Sequence, residues 1–427
     1  MDRHLYENYL HVLREELVPA LGCTEPISVA YTAAYARSVL GAMPERVRVA
    51  CSGNIVKNVK GVTVPNSGGM KGIEAAAAMG LVAGDYTKEL EILDGVTEKD
   101  IRRAEELVRS GIIRCELARR VDNLYISVLA GRGEESAEVI VSGKHTRVAG
   151  IWKNGRLVWE NREEGCAEEK EGGCDKSLLN LEDIFRFAEE VRAEDISEIL
   201  DRQISCNLSI AEEGLKTHYG VNAGKVILRN FGSDIRHRAV AYAAAGSDAR
   251  MSGCSMPVVI NSGSGNQGMT VSLPVIEYAR ETGAEKEKLY RALALSNLIS
   301  IYQKSFIGRL SAYCGAVSAA AGAVSGIAWL DGAGADVIAR TITNTICTAG
   351  GMVCDGAKPS CASKIAAALE VAMLGYEMAK EGFAFQAGEG LVMGSADDTI
   401  KSVGQMAREG MASTDEEILE IMMGSRT

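Results

Sequence analysis

The stretch from Gly315 to Leu330, Gly-Ala-Val-Ser-Ala-Ala-Ala-Gly-Ala-Val-Ser-Gly-Ile-Ala-Trp-Leu, carries no charge and almost no large side chain. A helix of this kind has no polar face to turn to water, so it must be surrounded by other elements that approach closely. It is studded with Gly and Ser, and it is shorter than the roughly 20 residues a bilayer span needs. The same bias runs through the chain, which has 46 glycines against 7 prolines, 6 phenylalanines and 3 tryptophans. The core is therefore expected to form by close approach of small residues rather than by stacking of rings. At 427 residues the chain is long enough for two or three domains of roughly 150 residues each.

Charge narrows the function classes. The 46 Lys and Arg are outnumbered by 57 Asp and Glu, a net charge of -11, so a surface that tracks phosphates is not expected and no nucleic-acid partner is assigned. A charged fraction of 24% and a mean hydropathy of +0.01 fit a globular protein in water, with no membrane partner. The 11 cysteines are an odd number at irregular spacing, which does not look like a secreted disulfide framework. The start, Met1-Asp2-Arg3-His4-Leu5-Tyr6-Glu7, has no apolar signal region. A reducing cytoplasm is the expected location, with thiols free or bound to metal.

The periodicities predict an α+β protein. Leu5, Tyr9, Val12, Leu13 and Leu17 mark an amphipathic helix over 4–20, and a second helix is expected from Ser28 to Leu40. Val47 to Cys51 alternates as a strand and runs into a loop containing Asn54, Asn66, Ser67, Gly68, Gly69 and Gly72. Helices are expected near Ile73–Leu81 and from Thr97 to Ser110, the latter entered through a capping box, Thr97-Glu98-Lys99-Asp100. Short strands follow at Tyr125–Leu129, Ala137–Val141, Thr146–Val148 and Arg156–Trp159, with Asn154-Gly155 as a hairpin turn. Residues 160–177 turn acidic and Gly-rich. Helical patterns then dominate from Asn180 to the end, interrupted at Asn261–Gly268. The expected division is a mixed α/β part with short strands over 1–175 and a largely helical part over 176–427.

The cysteines separate by context. Cys51, Cys115 and Cys206 lie in or beside apolar stretches and read as small hydrophobic packing residues. Cys166 and Cys174 flank an acidic loop whose carboxylates disfavour a thiolate. Cys254 precedes the Gly/Ser/Asn loop and could form part of a site wall; Cys347 is not excluded as a ligand by spacing. Cys23, between Gly22 and Pro26, precedes a helix, where N–H groups and the dipole would favour a thiolate. Cys354 and Cys361 bracket a loop, and Cys314 opens the small-residue helix. Their spacing fits no common zinc motif, the five histidines form no ligand pair, and spacing alone leaves a metal site open.

Taken together, Gly22-Cys23-Thr24-Glu25-Pro26, Asn66-Ser67-Gly68-Gly69, Asn261-Ser262-Gly263-Ser264-Gly265-Asn266-Gln267-Gly268 and the trio Cys314, Cys354, Cys361 resemble the L-cysteine desulfidase family. That family is related to the α-domain of iron–sulfur L-serine dehydratases. Each motif is modestly specific, whereas their order over nearly the whole chain is highly specific. The loop from Cys354 to Cys361 is similar to a Cys-Asp-Pro…Pro-Cys loop of the dehydratases but shorter, which argues for the desulfidase branch.

The resemblance implies a [4Fe-4S] cluster held by Cys314, Cys354 and Cys361, in the helical part of the chain. Three protein thiolates leave one iron open as a Lewis acid toward substrate sulfur. It also implies a reaction, L-cysteine and water giving hydrogen sulfide, ammonia and pyruvate. Cys23 is the implied proton acceptor, with a transient fourth ligand as its competing role; a lowered thiol pKa at the helix start would suit it to the first. Asn66, Ser67, Ser262, Ser264, Asn266 and Gln267 are the implied substrate-binding residues, the plain alternative being that these loops only end helices. Lys71, Arg250 and Lys304 are candidate charge partners. The Ser262–Gly268 loop matches neither nucleotide fingerprint, and no motif singles out a Schiff-base lysine for pyridoxal phosphate. The competing expectations are an iron–sulfur L-serine dehydratase and a non-catalytic iron–sulfur or thiol sensor. Self-association into a homo-oligomer is compatible with the sequence.

Overall fold

A computed structural model describes residues 1–161, 174–308 and 310–424 of the chain. Cys166 lies outside the described residues. The N-terminal half contains α1 (Arg3–Glu16), β1 (Pro19–Leu21), α2 (Thr24–Leu40), β2 (Arg46–Cys51), α3 (Gly53–Lys60), α4 (Ile73–Ala83) and α5 (Glu98–Arg109). Five further strands follow: β3 (Ile113–Leu117), β4 (Tyr125–Arg132), β5 (Glu135–Ser142), β6 (Val148–Lys153) and β7 (Arg156–Glu160). The remainder is helical apart from β8 (Pro257–Val259). Its helices are α6 (Leu181–Glu190), α7 (Ala193–Lys216), α8 (Ala223–Phe231), α9 (Ile235–Met251), α10 (Gly265–Thr282) and α11 (Lys286–Ile307). They continue with α12 (Gly315–Leu330), α13 (Ala335–Ala349), α14 (Cys361–Lys380), α15 (Ala396–Gln405) and α16 (Ala412–Met423). The class is α+β, as the periodicities indicate. Among the described residues, no helix is long and apolar enough to cross a membrane.

Six strands form one sheet in the order β3-β2-β4-β5-β6-β7, and only the β2–β3 pair is parallel. The Asn154-Gly155 hairpin forms as its residues require, with φ of 51° and 73°, the left-handed values of a tight two-residue turn. The capping box at the start of α5 is present in full, Thr97 and Asp100 each satisfying the other's backbone. The two three-residue strands β1 and β8 pair antiparallel, Ala20 opposite Val258, and so tie the first helices to the α9–α10 junction.

Several elements differ from the periodicity reading. α1 stops at Glu16, and Pro19 opens a strand rather than closing the helix. α2 starts at Thr24, not Ser28: Pro26 sits in its first turn, where a missing N–H costs nothing. Residues 53–60 form a helix within what reads as a loop, with Ile55 and Val59 buried one turn apart. The strand expected at Thr146–Val148 begins instead at Val148, and β3 was not anticipated.

The small-residue run behaves as its composition demands. α12 is buried almost throughout and packs against α10, α11, α13 and α14. The approach is close enough that a Cβ on Gly322 would stand 2.5 Å from the carbonyl oxygen of Ser296 on α11. Gly322→Ala is therefore expected to destabilise the protein by about 1–3 kcal/mol, the usual cost of overpacking. Chemical denaturation measures this, and an unchanged midpoint would mean that α11 and α12 can move apart freely.

Candidate active site

Cys314 and Cys354 are brought together by backbone. An isolated antiparallel bridge pairs Tyr313 with Val353; Cys314 N–H donates to Met352 O at 3.0 Å and Cys354 N–H to Ala312 O at 2.6 Å. The two cysteines thus lie on one face of the bridge as diagonal neighbours, which on a regular ladder stand roughly 7–8 Å apart. Cys361 is the first residue of α14, and its N–H donates to Lys358 O at 2.9 Å.

The loop between Cys354 and Cys361 is held at both ends of its charge pattern. Asp355 pairs with Lys358 at 2.6 Å and with Lys364. Burial would raise the Asp355 carboxyl, but hydrogen bonds from the two lysines outweigh it and hold the group down at about 2. Lys57 on α3, only 1% exposed, donates to Cys354 O at 3.2 Å and pairs with Asp415 of α16. Gly356 adopts a φ of +96°, and a Cβ there would meet Lys57 O at 2.3 Å, so only glycine lets the loop lie on α3.

These thiols face a cavity enclosing about 100 Å³, also lined by Cys23, Glu25, Asn58, His145, Arg250, Ser264, Asn266, Gln267 and Lys304. That is well below the roughly 300–1,000 Å³ of ordinary ligand pockets, which suits a small substrate. Cys23 caps the start of α2 and is buried. Its thiol donates to Glu25 Oε2 at 3.0 Å, while Asn58 donates to Glu25 Oε1 at 3.2 Å and His145 Nε2 stands 4.0 Å from that oxygen.

The expected lowering of the Cys23 thiol does not occur. Burial, and then the Glu25 carboxylate, push it well above its ordinary value, although Arg250 opposes them. A helix terminus stabilises an anion by a partial charge, and here a full negative charge sits closer. Burial would also raise Glu25. The His145 imidazole, the Cys23 thiol and Arg250 outweigh it, and the carboxyl is held low.

Opposite this group lies the start of α10. Ser264 caps it by accepting from Gln267 N–H at 3.4 Å, and Arg250 at the end of α9 donates to Asn266 Oδ1 at 3.2 Å and to Gly22 O at 2.8 Å. Gln267 is 6% exposed and lines the cavity, and among the described residues its Oε1 has no hydrogen-bond partner. The turn before α10 is fixed by a buried amide network in which Asn261 donates to Asn297 Oδ1 at 2.9 Å and Gln203 to the same oxygen at 3.0 Å.

Of the residues named from sequence, the cavity gathers Cys23, Ser264, Asn266, Gln267, Cys314, Cys354 and Cys361, with Arg250 and Lys304. Ser262 lines a neighbouring cleft with Lys304 and Glu16. Asn66 and Ser67 are not among the lining residues; Asn66 donates to Leu93 O at 2.9 Å, and Ser67 donates to Met70 O at 3.3 Å and closes its own turn. Lys71 is exposed and likewise outside the lining. Sequence reasoning missed Asn58, whose helix it read as a loop, and His145, a single histidine in a hairpin turn. His145 is held by groups remote along the chain, its carbonyl accepting from the Ser28 hydroxyl at 2.5 Å.

The donor set suits an iron–sulfur cubane. Among the described residues no three metal-binding side chains converge tightly enough to hold a single ion. A cubane places irons and sulfides between its ligands, so its thiols must stand apart around a common space, as Cys314, Cys354 and Cys361 do. Burial raises the Cys314 thiol to about 12, with Cys354 adding to the effect, and burial also raises Cys361. Three half-buried cysteines whose thiols line one cavity are the ligands such a group needs.

The model of the serine dehydratase alpha chain family matches residues 87–420, a span that includes all three of these cysteines, Arg250 and the start of α10. A UPF0597 protein of Desulfitobacterium hafniense is 48% identical over 425 residues, covering 99% of this chain and 97% of its own. Another, of Lachnoclostridium phytofermentans, is 49% identical over 419 residues, covering 98% and 100%. A third, of Treponema denticola, is 43% identical over 430 residues, covering 99% of each. The chain therefore belongs to the serine dehydratase alpha chain family, a lyase-type and iron–sulfur-associated family, and within it to the UPF0597 proteins.

Proposed function

We propose that this protein is an L-cysteine desulfidase, eliminating hydrogen sulfide from L-cysteine and releasing ammonia and pyruvate. The observation that carries the reading is the convergence of Cys23, Cys314, Cys354 and Cys361 with Arg250 on one small cavity. Cys314, Cys354 and Cys361 would hold a [4Fe-4S] cluster, which when bound supplies a Lewis acid for the leaving sulfur. The chain's own groups do the rest. The Arg250 guanidinium and the N–H groups at the start of α10 take the substrate carboxylate. Gln267 Oε1 accepts from the ammonium. Cys23 is placed to receive the Cα proton as its own passes to Glu25 in one concerted relay, so that no free thiolate forms beside the carboxylate and Glu25 is the final acceptor; His145 and Asn58 hold that carboxylate in place. Elimination leaves aminoacrylate, which tautomerises and is hydrolysed by water to pyruvate and ammonia.

The family description favours a second reading, in which L-serine loses its hydroxyl in the same cavity. Anaerobic reconstitution with iron and sulfide, followed by pyruvate release from each amino acid, separates the two. The expected result is at least about a tenfold higher kcat/KM for L-cysteine, some 1.4 kcal/mol of transition-state preference. A preference for L-serine would transfer the assignment to the dehydratase, and no turnover of either would end both.

A further inference from the structure

A second cleft opens between the start of α3, the turn that follows β3, and α16. It encloses about 620 Å³ against about 100 Å³ for the active-site cavity, which places it among ordinary ligand pockets. Ala312, whose carbonyl holds Cys354 N–H, forms part of its wall. Asn54, in the first turn of α3, is 8% exposed and lines the cleft, and among the described residues its Oδ1 has no hydrogen-bond partner. A buried acceptor left in this way costs stability unless something supplies a donor. Ser52, which precedes α3, gives its hydroxyl to Asn123 O at 2.7 Å, so no side chain caps the helix. The start of α3 therefore keeps N–H groups and the positive end of its dipole for the cleft.

The charges around the cleft fall into two sets. Arg408 pairs with Glu409 at 3.0 Å, Asp415 pairs with Lys57, and Asp122 accepts from the Ser142 hydroxyl. Arg119 and Arg120, on the turn after β3, and Glu416 and Glu420, one turn apart on α16, form no ion pair among the described residues. Two cations on one wall and two carboxylates on another thus border one cleft without meeting. Ala118 N–H donates to Cys51 O at 2.8 Å, which sets the arginines beside the start of α3. Leu117, Val121, Met411 and Leu419 add apolar lining. A fitting ligand needs an anion for the arginines and the helix start, and a cation for the two glutamates. It also needs an apolar body and a neutral N–H for Asn54 Oδ1. A free amino acid has both charges but no neutral N–H, and it fills little of such a volume. An apolar dipeptide has every part: carboxylate, ammonium, two aliphatic side chains and one peptide N–H. We propose that the cleft binds an apolar dipeptide by both of its termini, with the peptide N–H donating to Asn54 Oδ1. Capture of peptide termini by charge and backbone groups is a recurring recognition mode.

Titration calorimetry of the full-length protein with L-leucyl-L-leucine tests this, and it needs neither iron nor turnover. Saturable one-to-one binding with a Kd below about 1 mM is expected. The N-acetyl and C-terminal amide forms of the dipeptide, and free L-leucine, should each bind at least about tenfold more weakly. The double variant Arg119→Ala/Arg120→Ala should weaken binding at least about tenfold. Both side chains are exposed, so it should keep the wild-type thermal midpoint. In Glu416→Gln/Glu420→Gln the N-acetyl form should bind as well as the unmodified dipeptide, because the ammonium is no longer read. Asn54→Leu should weaken binding and leave the thermal midpoint equal or higher, whereas an amide serving the fold alone would lower it. Absence of saturable binding up to about 10 mM dipeptide overturns the inference. So does a double-arginine variant that binds like wild type, an Asn54→Leu protein with unchanged affinity, or an N-acetyl form equal to the unmodified dipeptide on the wild type.

Discussion

Alanine in place of Cys314, Cys354 or Cys361 is expected to bring the iron bound after anaerobic reconstitution down to background in each single variant. Three thiolates are the whole protein contribution proposed for the cluster, and two cannot hold a cubane in water. The fold should survive each change. The bridge at Tyr313–Val353 uses backbone groups, and the loop is fastened by Asp355, Lys358, Lys364 and Lys57 rather than by its thiols. Alanine at Cys51 or Cys206, which serve packing, should leave iron unchanged. At Cys23 the outcome is expected to divide, with iron retained and sulfide release lower by about 10²–10⁴, the range for removing a positioned proton acceptor. Iron and sulfide content, visible absorption and turnover measured on the same samples check the set. Full iron in any of the three ligand variants would remove that residue from the cluster, and lost iron in Cys23→Ala would make Cys23 a ligand.

The second large effect is expected far from the chemistry. Lys57→Met deletes a buried ammonium that bonds both Cys354 O and Asp415. Removing one partner of a buried pair costs about 3 kcal/mol or more, because the other charge is left without compensation. Asp415 is 16% exposed on its side chain, which keeps the expected loss near the lower end. An exposed helix pair such as Arg102 with Glu98 should cost less than about 1 kcal/mol when broken. Lys57→Met should therefore lower the unfolding midpoint by several degrees. It should also lower iron retention, because the carbonyl of a ligand cysteine loses its anchor. Asp415→Asn leaves the bond to Cys354 O in place and should affect stability more than iron. Calorimetry and iron analysis distinguish these outcomes, and a Lys57→Met protein equal to wild type in both would show that α16 does not brace the loop.

Much of the architecture could be read along the chain because it depends on neighbours in sequence. The capping box at Thr97–Asp100, the Asn154-Gly155 hairpin and the alternating strands around it are decided by contacts within a few residues. The misreadings share a cause. Residues 53–60 begin with Gly and Asn, which read as loop, yet they fold into α3 because Ile55 and Val59 find a core and Lys57 finds Asp415 358 residues later. β1 and β8 have three residues each, too few to show a period, and each is a strand only because the other is present. Cys23 was expected to have a lowered pKa from its place before a helix. Burial and Glu25 reverse the sign, and burial is a property of the fold.

The small-residue run at Gly315–Leu330 by itself required a helix surrounded by close neighbours, and that is what α12 is. Sequence by itself also marked which thiols stood apart from the packing cysteines, because chemistry resides in residue type and local context. It could not say that three of them share a cavity with Cys23, nor that Arg250 and Gln267 face them across it. Those facts rest on a two-residue bridge, on one buried lysine and on helices packed across hundreds of residues. Convergence in space is decided by which surfaces bury one another, and no local pattern contains that information.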